Sequence, residues 1–396
     1  MARVTLRKGR VQPVWAGHPW VFAQAIERLD GAPAPGDAVE IRDPGGRFLG
    51  RGFWSPKSAI PVRIVTRSED EPLDSAALVR RIERAFERRR RLGLPSGETD
   101  GYRLIHAEGD GLPGLICDVY RDVAVVQLLI HGTRARAEAI VGAVARVTGV
   151  RSVVELPGGR AQRREGIEVD APRVMRGPDV ERLVFAERGF EYAIELELAQ
   201  KTGFYFDQRD NRALVERFAN GARVLDLYSY VGAFGLAAAR GGAREVLAWD
   251  RSAAVVAEGA SIAHANGFGE RVGFAKGDVE KVLGKLHADR ERFDLAIVDP
   301  PKLAPTVRHR NRALNAYRKL NQRVFGLLAP GGLVLSCSCS GAVRPDDLLR
   351  SLALAAADAR REVRLLHMGQ QGMDHPVPAA FPEGRYLKAA LLEVGA

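Results

Sequence analysis

Cysteine is scarce in this chain: three residues in 396, at Cys117, Cys337 and Cys339. That excludes a disulfide framework and leaves too few thiolates for a structural zinc site. No apolar run approaches the roughly 18 residues of a membrane span. The opening segment, Met1-Ala2-Arg3-Val4-Thr5-Leu6-Arg7-Lys8-Gly9-Arg10, lacks the apolar core of a signal peptide. His18, His106, His264 and His375 have no metal-ligand spacing, so each reads as structural and no metal is expected. Internal repeats and low-complexity tracts are absent as well. The expectation is a soluble cytoplasmic protein with no membrane partner.

Basic residues are in surplus, with 59 Lys+Arg against 49 Asp+Glu and a formal net charge of +10. A surplus of that size fits a polyanionic partner through phosphate neutralisation, and equally an arginine-rich solvated surface. A 46% hydrophobic content over 396 residues supports real cores in two or three domains.

Three segments follow one another. Residues 1–70 read as short strands at Val4–Leu6, Ala38–Asp43, Phe48–Phe53 and Pro61–Thr66, separated by Gly/Pro turns, which suggests a small β-barrel. Residues 71–182 read as an α+β unit. Its parts are a helix over Leu73–Arg91 whose Arg88–Arg91 run reads as a solvated end or a phosphate contact, strands at Leu115–Tyr120, Val123–Leu129 and Ser152–Glu155, and a helix over Arg134–Thr148. A hairpin with its turn at Arg188-Gly189 occupies 183–200. From 201 to 396 the pattern becomes strand, loop, helix, repeatedly, with strands at Val224–Leu227, Glu245–Trp249, Val272–Ala275, Leu295–Val298 and Leu333–Ser336. Alternation of this kind predicts an α/β fold, a parallel Rossmann-like sheet covered by helices on both faces.

Ligands of such sheets sit at the carboxyl ends of the strands. Four of those ends carry an acid: Asp226, Asp250, Asp278 and Asp299, the last followed by Pro300-Pro301. Asp250 lies 24 residues after Asp226, near the spacing at which an acid meets ribose hydroxyls. Asp278 suits an adenine amino group. Gly232, in the loop Tyr228-Ser229-Tyr230-Val231-Gly232, permits close backbone approach. G-x-G-x-x-G is missing, so a pyrophosphate cradle is not the design. S-adenosylmethionine (SAM), which has no pyrophosphate, needs none. Singly, each acid reads equally as a strand-end residue or a helix cap. Four in order are far more specific.

At this point the sequence resembles a known family. Lys201-Thr202-Gly203-Phe204-Tyr205-Phe206-Asp207-Gln208-Arg209, Tyr228-Ser229-Tyr230-Val231-Gly232, Asp299-Pro300-Pro301-Lys302 and Ser338-Cys339-Ser340-Gly341 look like the RlmI (YccW) family of bacterial 23S ribosomal RNA cytosine-C5 methyltransferases. Gly17-His18-Pro19-Trp20-Val21-Phe22 is similar to that family's N-terminal PUA domain. Glu108-Gly109-Asp110-Gly111-Leu112-Pro113-Gly114-Leu115 is similar to its central domain. Asp374-His375-Pro376 and Pro382-Glu383-Gly384-Arg385-Tyr386-Leu387-Lys388 are similar to its C-terminal end.

The resemblance implies a PUA-like RNA-binding domain over 1–70, a central domain over 71–182, a connecting hairpin over 183–200 and a class I methyltransferase domain over 201–396. It implies SAM as donor with S-adenosylhomocysteine as product, 23S ribosomal RNA as substrate, and a homodimer as one assembly state. The candidate cofactor contacts are Phe206, Asp226, Tyr228, Gly232, Asp250, Arg251, Asp278 and Asp299.

Carbon 5 of cytosine is a poor nucleophile, and a thiolate adding to carbon 6 converts it into an enamine that is not. Cys339 is the expected nucleophile and Asp299 the acid at the ring. Cys337 and Cys117 read as small buried residues. Lys302 stands where methylases of exocyclic amines commonly carry an aromatic, and where some RNA cytosine-C5 enzymes carry a second cysteine. Lys302, Arg308, Arg310 and Arg312, followed by Arg318 and Lys319, form a basic patch expected to meet RNA backbone. Two other readings stay open: a guanine methyltransferase, which needs no thiol, and a non-catalytic RNA-binding ribosome-assembly factor.

Overall fold

The computed structural model describes residues 1–395, except the side chain of Arg160. The chain divides into two compact units. One is Met1–Phe206 with Met373–Gly384, and the other is Asp207–Gly372 with the residues from Arg385 onward. Among the described residues no helix is long and apolar enough to cross a membrane. No group of three His, Cys, Asp or Glu side chains among them is arranged to hold a metal.

The first unit begins with β1 (Ala2–Leu6), α1 (Val11–Trp15), β2 (Trp20–Val21), β3 (Ile26–Asp30), β4 (Ala38–Arg42), β5 (Phe48–Trp54) and β6 (Val62–Thr66). They form one sheet in the order β2-β6-β5-β4-β1-β3, in which only the β1–β4 pair is parallel. Alternate residues Val4, Leu6, Val39 and Ile41 are buried, as the period of a strand requires. The sequence pattern finds four of these strands. It misses β2, which is two residues long, and β3, an edge strand whose Ile-Glu-Arg-Leu-Asp composition lacks an apolar face.

The same unit continues with α2 (Ser75–Arg91), β7 (Gly101–His106), β8 (Leu115–Tyr120), β9 (Val123–Leu128), α3 (His131–Arg134), α4 (Ala137–Thr148), β10 (Ser152–Glu155), α5 (Arg160–Glu165) and β11 (Arg173–Arg176). The strands pair in the order β11-β10-β9-β8-β7. Asp74 caps α2 by accepting from Ala77 N at 2.8 Å. β12 (Arg182–Glu187) and β13 (Phe190–Glu195) make the expected hairpin. Its two turn residues, Arg188 at φ +52° and Gly189 at φ +78°, both lie in the left-handed region, as a type I′ turn demands.

Two features of this unit depart from the sequence reading. Arg89 does not belong to a solvated helix end. It is fully buried and donates to both oxygens of Asp110, at 2.5 and 2.8 Å, and to Asp374 O at 2.7 Å. Arg103, on β7, donates to Asp118 and Thr202, and its own N–H reaches Asp374 Oδ2 at 3.1 Å. Secondly, residues 201–206 and 373–384, expected in the catalytic part, pack into this unit. Tyr120 OH donates to Thr202 O at 2.9 Å and accepts from Phe204 N at 2.8 Å. Asp374 anchors the later segment and accepts from His375 Nδ1 at 2.9 Å. His106 lies with its ring centroid 4.9 Å from that of His375, and burial and neighbouring cations push its pKa well down, so it stays neutral.

The second unit comprises α6 (Arg209–Arg217), β14 (Arg223–Leu227), α7 (Ala233–Arg240), β15 (Glu245–Asp250), α8 (Ala253–Ala265), β16 (Val272–Lys276), α9 (Val279–Ala288), β17 (Phe293–Val298), α10 (Arg310–Phe325), β18 (Leu328–Ser338), α11 (Pro345–Ala359), β19 (Val363–Gly369) and β20 (Lys388–Val394). The seven strands pair in the order β16-β15-β14-β17-β18-β20-β19, all parallel except β20. This is the Rossmann-like sheet that the alternation predicts, with β20 reversed between β18 and β19. The strand order turns back at β14, so its carboxyl end and that of β17 border the switch-point crevice.

The buried Arg89–Asp110 pair generates a stability prediction. Asp110→Ala leaves the Arg89 guanidinium buried without its carboxylate, which costs about 3–5 kcal/mol. Urea unfolding of the variant should show a midpoint lowered accordingly.

Candidate active site

The parallel register sets strand ends side by side: Leu227 pairs with Trp249 and with Val298, and Val298 pairs with Ser336. Asp250, Asp226, Asp299 and Cys339 therefore lie on neighbouring strand ends, in the spatial order β15, β14, β17, β18. Asp226 is buried and its Oδ2 accepts from Gly235 N, in the first turn of α7, at 3.1 Å. Burial is the main cause that lifts its pKa to about 8, and the charges of Asp299 and Asp250 add to the rise.

The loop after β14 is held in an unusual backbone conformation. Tyr228, Tyr230 and Gly232 have φ of +63°, +51° and +76°. Non-glycine residues persist in this region only where surroundings over-determine them. Here Ser229 N donates to Trp249 O at 3.1 Å and Tyr230 N to Asp250 Oδ2 at 3.2 Å. Gly232 cannot be replaced quietly, since a Cβ there would lie 2.3 Å from the Phe274 ring. Asp250 also accepts from Ser252 N at 3.0 Å through its other oxygen, so its carboxylate joins two loops.

Asp278 is exposed and caps α9, its Oδ1 accepting from Lys281 N at 3.3 Å. Arg251 is exposed beside Asp250. Phe206, also expected at the cofactor, is buried. It belongs to the first unit, where its ring packs in an aromatic cluster with Tyr120, Phe185 and Phe204.

Asp299 follows β17 and its Oδ2 accepts from Gln208 Nε2 at 2.9 Å. Asn211 Nδ2 donates to Gln208 Oε1 at 2.6 Å, which fixes the amide so that its NH2 faces the carboxylate. Cys337 is fully buried, and burial followed by the Asp299 charge holds its thiol well above the usual range. Cys117 is likewise buried and raised. Cys339 is partly exposed. Behind it, Tyr317 OH donates to Ser338 Oγ at 2.9 Å, and Ser340 Oγ accepts from Ala304 N at 3.0 Å, tying the β18 end to the Asp-Pro-Pro loop.

The basic patch separates into two kinds of residue. Arg310 pairs with Asp347 and Arg318 with Asp358, so neither charge is available in full to an outside phosphate. Lys302, Arg308 and Arg312 are exposed. Sequence reasoning missed Gln208, Tyr317 and Lys388. The first sits inside a recognised motif with no role attached. Lys388 likewise closes a recognised motif with no role attached, and Tyr317 looks like an ordinary helix residue until the strands pair.

Comparisons with known proteins converge. A family profile described as S-adenosylmethionine-dependent methyltransferase matches residues 103–382, and one described as PUA-like domain matches residues 4–67. The Ribosomal RNA large subunit methyltransferase I of Aeromonas salmonicida is 37% identical over 390 residues, 98% of each chain. That of Shewanella denitrificans is 38% identical over 394 residues, 99% of each chain. Among solved structures, a methyltransferase designated SMU.776, complexed with S-adenosylhomocysteine, superposes with TM-score 0.85 at 20% identity, covering 99% of this chain and 100% of its own. A SAM-dependent methyltransferase structure from Streptococcus mutans gives 0.83 at 19%, over the same shares. At such identities the likeness shows the fold.

The strand-end residues fit SAM chemically. Its sulfonium and α-ammonium are cations, and Asp226 is pushed toward its neutral form by burial and by the charges of Asp299 and Asp250. The apo-protein offers a direct check. Asp226 is raised in the folded state to about 8 from an ordinary value near 3.8, so the unfolded chain gains by ionising it across that interval. Asp226→Asn should therefore raise the thermal midpoint of the apo-protein progressively more from pH 4 to pH 8. The gain levels off above pH 8, as calorimetric melts across pH will show.

Proposed function

Because the chain belongs to the family of SAM-dependent methyltransferases that includes the Ribosomal RNA large subunit methyltransferase I proteins, we propose that it methylates carbon 5 of a cytosine in large-subunit, 23S ribosomal RNA through a covalent Cys339 adduct. The observation that carries this reading is the adjacency of β17 and β18, which sets Asp299 and Cys339 on neighbouring strand ends. Cys337 is sealed in the core, which leaves Cys339 as the accessible thiol of the pair.

SAM, when bound, supplies the electrophilic methyl group. The Cys339 thiolate adds to carbon 6 and forms a carbon–sulfur bond. Electron density moves through carbons 5 and 4 onto ring nitrogen 3, which takes a proton from Asp299 in its carboxylic acid form and returns it once carbon 5 is methylated. Carbon 5 is now an enamine carbon and a nucleophile. After methylation a base takes the carbon-5 proton, the 5,6 double bond re-forms and the thiolate leaves. Gln208 holds Asp299 in orientation for this work. With SAM bound, Asp226, Asp250 and the Tyr228–Gly232 backbone would hold its cationic and ribose parts, and Asp278 and Arg251 its adenine. Lys302 supports a pyrimidine over an exocyclic amine, because no aromatic follows Asp-Pro-Pro.

The target base must be unpaired or flipped to reach such a crevice. The PUA-like domain supports RNA as its carrier. Exposed Lys302, Arg308 and Arg312 contact the backbone, whereas Arg310 is spent on Asp347.

The decisive experiment incubates the protein with labelled SAM and 23S ribosomal RNA and resolves the nucleosides. Label is expected in 5-methylcytidine, abolished by Cys339→Ala and reduced about 10²–10⁴-fold by Asp299→Asn. Label in methylguanosine that survives Cys339→Ala would establish a guanine methyltransferase instead. No SAM binding by calorimetry would leave an assembly factor. For the RNA contacts, the Arg308→Ser/Arg312→Ser double variant should weaken RNA binding and flatten the plot of log affinity against log salt by about 1.4, at ~0.7 per phosphate contact. Arg310→Ser should leave that slope nearly unchanged in the same filter-binding titration.

A further inference from the structure

Lys388 is the first residue of β20 and pairs across the sheet with Ser338, one residue before Cys339. It is 3% exposed. A lysine is almost never buried this far without a charged partner. Its Nζ donates to Ser340 O and to Tyr386 O, both at 2.7 Å. These acceptors are neutral carbonyls, so two of three protons are satisfied while the charge is not. Among the described residues no carboxylate lies within ion-pair distance of it.

The charges that do act on Lys388 are the Cys339 thiol, Lys302 and Asp347. Tyr317, with its hydroxyl on Ser338, and buried Cys337 each feel both Cys339 and Asp299. When ionised, Asp299 raises the nearby Cys337 thiol. Lys388 carries the opposite charge and interacts with Cys339. One of its two hydrogen bonds grips the carbonyl of the residue directly after Cys339, so the same group that supplies the charge also fixes the turn that presents the sulfur.

We propose that Lys388 is the positioning residue of Cys339: its buried ammonium holds the turn at Ser340 and stabilises the adjacent sulfur as a thiolate. This rests on the reading of Cys339 as nucleophile and deepens it. The thiol proton leaves to solvent and Lys388 keeps its own. Burial lowers the lysine pKa to about 8, so the group is charged at neutral pH and loses its charge as pH rises past that value. An opposite charge within about 4–6 Å shifts a titrating group by roughly 1–3 pH units.

The test compares wild type, Lys388→Met and Lys388→Arg by peptide-resolved iodoacetamide alkylation of Cys339 between pH 5.5 and pH 10. Buried Cys117 and Cys337 serve as unreactive internal controls, and calorimetric SAM binding confirms the fold. The alkylation midpoint should rise by about 1–2 pH units in Lys388→Met and stay near wild type in Lys388→Arg. Methyl transfer to ribosomal RNA should lose kcat in Lys388→Met with KM for RNA unchanged. Its alkaline decline above pH 8 in wild type should move to higher pH in Lys388→Arg, because arginine stays charged. A folded, SAM-binding Lys388→Met with an unshifted alkylation midpoint overturns the proposal. Should that variant fail to fold, an alkaline decline in Lys388→Arg matching wild type overturns it instead. The alkylation readout needs no RNA, so it stands apart from the nucleophile assignment, which falls only if Cys339→Ala retains activity on cytosine.

Discussion

The register of the parallel sheet in the second unit is the constraint on which the site depends. With Leu227, Trp249, Val298 and Ser336 paired across four strands, whatever follows each strand is delivered to the same edge. Negative charge is thereby concentrated in a poorly solvated place, and Asp226 is pushed toward its neutral form by burial and by its two acidic neighbours. The arrangement is costly in the bare protein and favourable once a cation arrives. The strained loop at Tyr228, Tyr230 and Gly232 is held by donations to Trp249 O and Asp250, so the same register that gathers the acids also holds the backbone beside them.

In the first unit, charge serves a different purpose. Arg89 with Asp110, and Arg103 with Asp118 and Thr202, form buried, hydrogen-bonded groups, and Asp374 accepts a hydrogen bond from each arginine. Such groups hold together only when every partner is in place. They leave the net charge unchanged, since each arginine is matched by an acid, but they place those guanidinium groups out of reach of a polyanion. The Arg310–Asp347 and Arg318–Asp358 pairs do the same in the second unit. The positive charge left for an external phosphate is therefore more local than the formal total suggests.

What could be read in advance follows from how local each signal is. Asp226, Asp250 and Asp299 announce themselves because each lies at or beside the end of a hydrophobic strand, and a strand needs only its own residues to be recognised. The hairpin turn at Arg188-Gly189 is equally local. β7 escaped because Arg103 and His106 interrupt its apolar pattern, and only their buried partners explain them. Phe206 stands in a recognised motif, and only the fold shows that its ring packs in an aromatic cluster with Tyr120 and Phe185. Gln208 stood in the same motif, and its contact with Asp299 spans 91 residues of sequence.

By itself the sequence determined the alternating α/β architecture, the acidic strand ends and the family likeness, all of which depend on neighbours a few residues apart. Tertiary structure alone decided which cysteine is sealed and which is reachable, which arginines are already paired, and that Lys388 sits behind Cys339. Those outcomes depend on strand pairing and burial between residues far apart in the chain. The free energy of a charge or a thiol is set by what surrounds it in space, and no local pattern encodes that.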